Sequence, residues 1–211
     1  MTTDIKHIWF DMEGTLTVHT PEWEAAHDKL LLETYSKVTG KRPTDGLWQE
    51  YSEIYRQHGT HSAAFSSLGL PSDYWQLHFA NLNEELYYKP DERVYGTLAK
   101  LKDIVPISVF TNAKLERLQS TLKVIGVNHE WFTFTLTGDD ITARKPSLEG
   151  FQKIIEISDL MPANILYVGD RVQADVEPAN KVGMQSGLVW SESPMAKYSF
   201  AEFNELLDLF I

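Results

Sequence analysis

Ile8-Trp9-Phe10-Asp11-Met12-Glu13-Gly14-Thr15-Leu16 is the stretch on which the reading of this chain turns. The segment His7–Phe10 is apolar and aromatic, which suits a strand covered on both faces. It runs into an acid. A carboxylate at the end of an apolar strand is costly to bury unless it is paired, so Asp11 needs a partner or a task, and it has the chemistry to attack phosphorus or to hold a cation. Glu13, two residues on, returns to the same side of an extended chain, and Gly14 lets the backbone turn sharply. Alone, the sequence also reads as an ordinary acidic turn after a strand.

Outward from this stretch, short apolar runs at 105–110, 132–136, 165–168 and 187–190 are expected as further strands, with helical periodicity between them. Leu115, Leu118, Leu122 and Ile125 form one stripe, and Leu148, Phe151 and Ile155 another. Phe200, Phe203, Leu207 and Phe210 predict a final amphipathic helix. Strands separated by helices imply an α/β fold, a Rossmann-like parallel sheet sheathed by helices. Residues 17–89 break the alternation. They carry helical stripes and no strand pattern, and they are too long for a simple crossover. The chain is therefore expected to divide into a core of residues 1–16 and 90–211 and an inserted α-helical cap of residues 17–89. Trp23, Trp48 and Trp75 are expected in the cap interior, His58-Gly-Thr-His61 in an exposed loop, and Glu84-Glu85 on a solvated face. His19 and Thr20 lead into the cap and could face a substrate.

Composition narrows the function. Nineteen basic and thirty acidic residues in 211 give a net charge of −11, which argues against nucleic acid or an anionic membrane as partner. The chain contains no cysteine, which excludes disulfides, thiolate zinc sites and a cysteine nucleophile. No apolar run approaches the length of a membrane span, and Ile8-Trp9-Phe10 is too short for a signal-peptide core. A cytoplasmic protein, a monomer or weak homodimer, is expected.

The residues able to do chemistry fall at the carboxyl ends of the expected strands, the edge at which open parallel sheets bind ligands. Thr111-Asn112 follows the second strand and can hold an anion or cap a helix. Lys145, in Arg144-Lys145-Pro146-Ser147, is a mobile point charge able to neutralise a carboxylate and a phosphate together, or a solvated side chain. Gly169-Asp170-Arg171-Val-Gln-Ala-Asp175 places two acids in one loop-to-helix turn, a donor set that suits a hard divalent ion.

In their order and placement these four elements resemble the haloacid dehalogenase superfamily, in its phosphatase and phosphotransferase branches, and the resemblance covers essentially the whole chain. It implies that Asp11 is the nucleophile and a ligand of Mg2+. It implies that Glu13 is the general acid and base, with its backbone carbonyl on the metal. Thr111 would bind the transferring phosphate with Asn112 beside it. Lys145 would hold nucleophile and phosphate in register. Asp170 would bind Mg2+, with Asp175 as a ligand or just behind the ligands. The dehalogenase branch uses no magnesium, whereas Asp170 and Asp175 look like a metal site. The implied activity is Mg2+-dependent hydrolysis of a small phosphorylated metabolite through an aspartyl-phosphate, a closing cap excluding polymers and water. Two alternatives remain open here: a phosphotransferase such as a sugar-phosphate mutase, and a catalytically impaired metabolite-binding protein. Glu13 is where they diverge, because most phosphatases of this family have aspartate there. One methylene moves the carboxyl group by up to about 1.5 Å, and a displacement of about 1 Å can cost roughly a hundredfold in rate.

Overall fold

The computed structural model describes residues 4–83 and 86–210; Glu84-Glu85 lie outside them. Contacts divide the chain into two compact units, Met1–Val18 with Tyr88–Ile211, and His19–Tyr87.

The first unit is built on a six-stranded parallel sheet in the order β3-β2-β1-β4-β5-β6. Its strands are β1 (His7–Phe10), β2 (Ile107–Phe110), β3 (Thr135–Leu136), β4 (Ile165–Gly169), β5 (Gln185–Val189) and β6 (Tyr198–Phe200). Every residue of β1, β2, β4 and β5 is buried, which is why these strands read as near-continuous apolar runs. Helices α5 (Glu92–Leu101), α6 (Leu115–Val124), α7 (Glu149–Ser158) and α8 (Glu177–Lys181) belong to this unit; to keep labels in chain order, α1 to α4 are those of the second unit. Trp9, Phe110, Phe151, Ile154 and Tyr167 share one core cluster, and Trp9 Nε1 donates to Ser158 Oγ at 3.0 Å. Phe10 packs near Phe203, with ring centroids 5.8 Å apart.

The strand register sets the position of the site. Phe10 is level with Val109 on β2 and with Val168 on β4. The carboxyl ends of these neighbouring strands therefore form one edge, and β1, flanked on either side by strands reached through different crossovers, marks the switch point.

Three expectations are corrected. The strand expected at 132–136 shortens to Thr135–Leu136, because a 3-10 turn at His129–Trp131 takes the Phe132 N–H back to His129 O at 3.1 Å. Phe200 belongs to β6, paired with Val189, and not to the last helix. That helix begins at Phe203 and is 3-10 in type.

The second unit holds α1 (Pro21–Thr39), α2 (Asp45–His58), α3 (His61–Ser67) and α4 (Tyr74–Phe79). Thr20, Thr44 and Thr60 cap the first three, each hydroxyl accepting the N–H three residues on, at 3.2, 3.4 and 3.1 Å. Thr20 is thus a helix cap, and His19 stacks on Trp23 at 3.7 Å. Leu31, Tyr35, Leu47, Tyr51, Phe65 and Trp75 form the interior, with Trp48 packed against it, and Trp23 is buried too. His58 closes α2 in solvent, but His61 opens α3 half-buried and bonded through Nδ1 to Tyr51 Oη at 2.7 Å. It is not the exposed loop residue expected. No helix among the described residues is long and apolar enough to cross a membrane.

His7 is buried at the start of β1, its Nε2 2.8 Å from Ser108 Oγ. Burial pulls its pKa from the ordinary 6.5 down to about 4. Above pH 6.5 neither the folded nor the unfolded chain protonates it. Between 6.5 and 4 the unfolded chain takes up a proton that the folded chain refuses, so stability falls as pH falls. The loss is at most about 3 kcal/mol and is complete below about pH 4. Urea denaturation at pH 7 and pH 4.5 is expected to show a smaller pH dependence in His7→Gln than in the native chain; equal pH dependence would refute the assignment.

Candidate active site

The loop after β1 is tied down by one carbonyl. Met12 O accepts the N–H groups of Thr15, Leu16 and Thr17 at 3.3, 2.9 and 3.2 Å, and Gly14 N donates to Thr17 Oγ1 at 3.0 Å. Gly14 has φ +76°, and a Cβ there would collide with the Asp170 carboxylate. Glycine at 14 is thus what lets the first motif approach the fourth. Gly169 does the same at the end of β4, where a Cβ would overlap the side chain of Asp175. The chain then enters a π-turn at Val172–Val176, a distortion that recurs at functional sites. This turn brings Asp175 back toward the strand end, where its Oδ2 accepts the Arg171 N–H at 3.1 Å.

These turns bring carboxylate oxygens of Asp11, Asp170 and Asp175 within 4.8 Å of one another. Asp11 and Asp175 are fully buried, and the Asp170 side chain keeps a fifth of its surface. Lys145, from the loop before α7, inserts its ammonium among them. Nζ lies 2.6 Å from Asp11 Oδ1 and 2.8 Å from Asp175 Oδ1, and it donates to Tyr167 Oη at 2.9 Å. Two of its N–H bonds are thus directed at Asp175 and Tyr167, and Asp11 pairs with its charge at contact distance. Asn112 fixes the backbone beneath: Oδ1 accepts Lys145 N–H at 2.8 Å and Nδ2 donates to Lys145 O at 3.2 Å. One Asn112 amide hydrogen remains for another acceptor.

Electrostatics follow from burial and charge count. Burial pushes the Asp11 carboxyl above its ordinary range, Lys145 opposing and Asp175 adding to the rise. Burial likewise raises Asp170, against Arg171. Burial pulls the Lys145 ammonium down, but Asp11 and Asp175 together outweigh it, and the net direction is up. Three carboxylates therefore face one buried ammonium. Arg171 stands at the margin, 3.9 Å from both Asp11 Oδ2 and Asp170 Oδ1. Neither Asp11 oxygen accepts a well-aligned hydrogen bond, although Lys145 pairs with Oδ1. An all-oxygen donor set with excess negative charge and unsatisfied carboxylate lone pairs fits a hard divalent cation such as Mg2+.

Beside this cluster, Glu13 turns to the second motif. Thr111 Oγ1 donates to Glu13 Oε2 at 2.8 Å and accepts the Ala113 N–H at 3.0 Å. Thr111 does not cap α6, whose N-cap is Lys114. Arg117 Nε lies 3.6 Å from Glu13 Oε1. The seven expected residues thus gather at one sheet edge as a triad of acids around Lys145, Asn112 under the lysine, and Glu13 against Thr111. Sequence reading missed Tyr167, Thr15, Arg171 and Arg117. Arg171 lies inside the fourth motif, with Tyr167 two residues before the motif begins, and Thr15, whose Oγ1 donates to Asp170 Oδ1 at 3.4 Å, lies inside the first. Arg117 sits on the polar side of a helix stripe, where no sequence signal separates it from other surface cations.

A sequence model of the haloacid dehalogenase-like hydrolases matches residues 5–183. The chain belongs to this family. The hydrolase is 24% identical over 201 residues to a phosphoglycolate phosphatase of Neisseria meningitidis, covering 88% of this chain and 82% of that one. It is 26% identical over 129 residues to a glyceraldehyde 3-phosphate phosphatase of Methanocaldococcus jannaschii, covering 57% and 56%. Among solved structures, an HAD phosphatase from Thermococcus onnurineus superimposes with a TM-score of 0.67 at 22% identity over 97% of both chains, a likeness of fold.

In this hydrolase Lys145 is the counter-ion of two buried acids. Removing one partner of a buried ion pair typically costs about 3–5 kcal/mol. Lys145→Met is expected to lose stability of that order in urea denaturation without divalent cation. A loss below about 1 kcal/mol would show that the acids do not depend on the ammonium.

Proposed function

We propose that this hydrolase is a Mg2+-dependent phosphatase acting on a small phosphate monoester through a phosphorylated Asp11. The observation that carries the reading is Asp11 itself: a buried carboxylate, paired with Lys145 on one oxygen, close to two further acids, and with neither oxygen saturated by hydrogen bonds.

In this reading Asp11 and Asp170 hold the cation, with Asp175 as a ligand or just behind them and the Glu13 backbone carbonyl as a further donor. The cation would offset the repulsion between an anionic nucleophile and an anionic phosphate. Thr111 and the free amide hydrogen of Asn112 orient the phosphate, and Lys145 bridges it to Asp11. An Asp11 oxygen attacks phosphorus while the bond from phosphorus to the ester oxygen breaks. Glu13 delivers a proton to that departing oxygen. Water then attacks the phosphorus of the acyl phosphate, Glu13 takes its proton, and Asp11 is released with inorganic phosphate. Glu13 thus works as the general acid and base in a site shaped around the longer side chain.

The names of the sequence relatives direct the substrate proposal toward phosphorylated acids and aldehydes of two or three carbons. The fold alone does not choose among them.

An aryl-phosphate assay with Mg2+ and with EDTA tests the reaction class. Phosphate release is expected with Mg2+, lost with EDTA, and reduced by at least about a thousandfold in Asp11→Asn, which lacks the nucleophile. Mg2+ is also expected to raise the thermal midpoint of the native chain and not that of Asp170→Asn. Release that survives in Asp11→Asn would sink the covalent route. A panel including phosphoglycolate, glyceraldehyde 3-phosphate and a hexose 1-phosphate then ranks substrates. Conversion of the hexose phosphate to an isomer with little free phosphate would indicate a mutase instead.

A further inference from the structure

Glu13 carries one more rotatable bond than the aspartate usual at this position, so holding its carboxylate in one place costs more side-chain entropy. Two groups address it separately. Thr111 Oγ1 donates to Oε2 at 2.8 Å, and Arg117 Nε faces Oε1 at 3.6 Å. Arg117 is the third residue of α6, and its side chain and that of Glu13 are both largely covered, at 21% and 25% exposure.

These two anchors are not equivalent. A threonine hydroxyl has one proton to give. If Thr111 binds the transferring phosphate, that proton goes to a phosphate oxygen, and Glu13 loses its short hydrogen bond at the moment its position matters. Arg117 carries five N–H donors, so a bond made by one of them leaves others to face Glu13. Its contact is with the other carboxylate oxygen and survives whichever way the Thr111 proton points.

We propose that Arg117 is a positioning residue for Glu13, holding the longer acid in place once Thr111 has turned to phosphate. The proposal rests on the phosphatase reading above and deepens it. Arg117 acts through Glu13 and does not touch the reacting atoms. Shortening the acid would withdraw its carboxylate by up to about 1.5 Å, beyond useful contact with the guanidinium.

A double-mutant cycle tests this, with steady-state phosphate release measured for the native chain, Arg117→Met, Glu13→Asp and the double variant. Arg117→Met is expected to lower kcat on the order of tenfold, with KM changed by less than about twofold. Arg117→Lys is expected to recover part of that loss. In the Glu13→Asp background, Arg117→Met is expected to change kcat by less than about twofold, because the partner it serves is already out of reach. Thermal midpoints confirm that each variant is folded, and Arg117→Gln replaces Arg117→Met in the cycle if the latter is not. Equal losses in both backgrounds would overturn the proposal, since Arg117 would then act independently of Glu13. A raised KM with unchanged kcat would also overturn it, assigning Arg117 to substrate binding. A native chain with no turnover would overturn the phosphatase reading and this proposal with it, whereas turnover with an additive cycle overturns this proposal alone.

Discussion

The Lys145 ammonium donates hydrogen bonds to Asp175 and Tyr167 and pairs in charge with Asp11, all deep in the protein. Each partner comes from a different part of the chain: the loop after β1, the π-turn after β4, and β4 itself. Two carboxylates cannot be buried side by side unless something offsets both their lost hydration and their mutual repulsion. The lysine does this, and so ties the sheet edge together as well as furnishing it with charge. The arrangement is one positive charge short. Asp170 is left facing Arg171 at 3.9 Å, and the cluster remains net negative. Lys145 alone therefore does not complete the charge balance, which is the physical basis for reading the edge as a cation site.

Parts of this edge were legible in sequence for a simple reason. A carboxylate or hydroxyl that ends an apolar run sits at the end of a strand, and a parallel sheet brings strand ends together. Asp11, Thr111 and Asp170 follow from that rule, and the glycines at 14 and 169 mark the places where one backbone must pass close to another's acid. Asp175 was legible as the second acid of one turn, whereas Lys145 gained its role only through the family resemblance, since a lysine before a helix has commoner uses. Tyr167 and Arg117 were not legible. Tyr167 reads as one more buried strand residue until its hydroxyl is seen under the lysine. Arg117 reads as surface charge, because its pairing with Glu13 depends on where two flexible side chains point and not on spacing.

The misread elements fail for a related reason. Phe200 fits a helical stripe with Phe203, yet its carbonyl accepts the Trp190 N–H at 2.8 Å at the edge of the sheet. A three-residue strand carries too little pattern to outweigh an apolar stripe beside it. Thr20 follows the first motif, and it also caps α1, because a helix start has free N–H groups and the nearest hydroxyl satisfies one of them. In both cases a backbone group that needed a partner took the residue, a demand that apolar patterning does not register.

Strand β1 shows how burial and charge together confine chemistry to one edge. His7 at its start and Asp11 just past its end are both stripped of water, and burial shifts them in opposite directions, the imidazole down and the carboxyl up. Each shift favours the neutral form. At the amino end nothing resists, because the His7 ring lies against Ser108, Trp9 and Phe134, all uncharged, and the residue settles as a neutral core group. At the carboxyl end Lys145 resists, and would be joined by any bound cation. The same desolvation therefore leaves an inert hydrogen bond at the start of the strand and, just past its end, an under-coordinated carboxyl group paired with an ammonium. What separates the neutral packing residue from the charge-paired acid on this strand is the counter-charge delivered by the crossovers, and those deliver it only where the strands end.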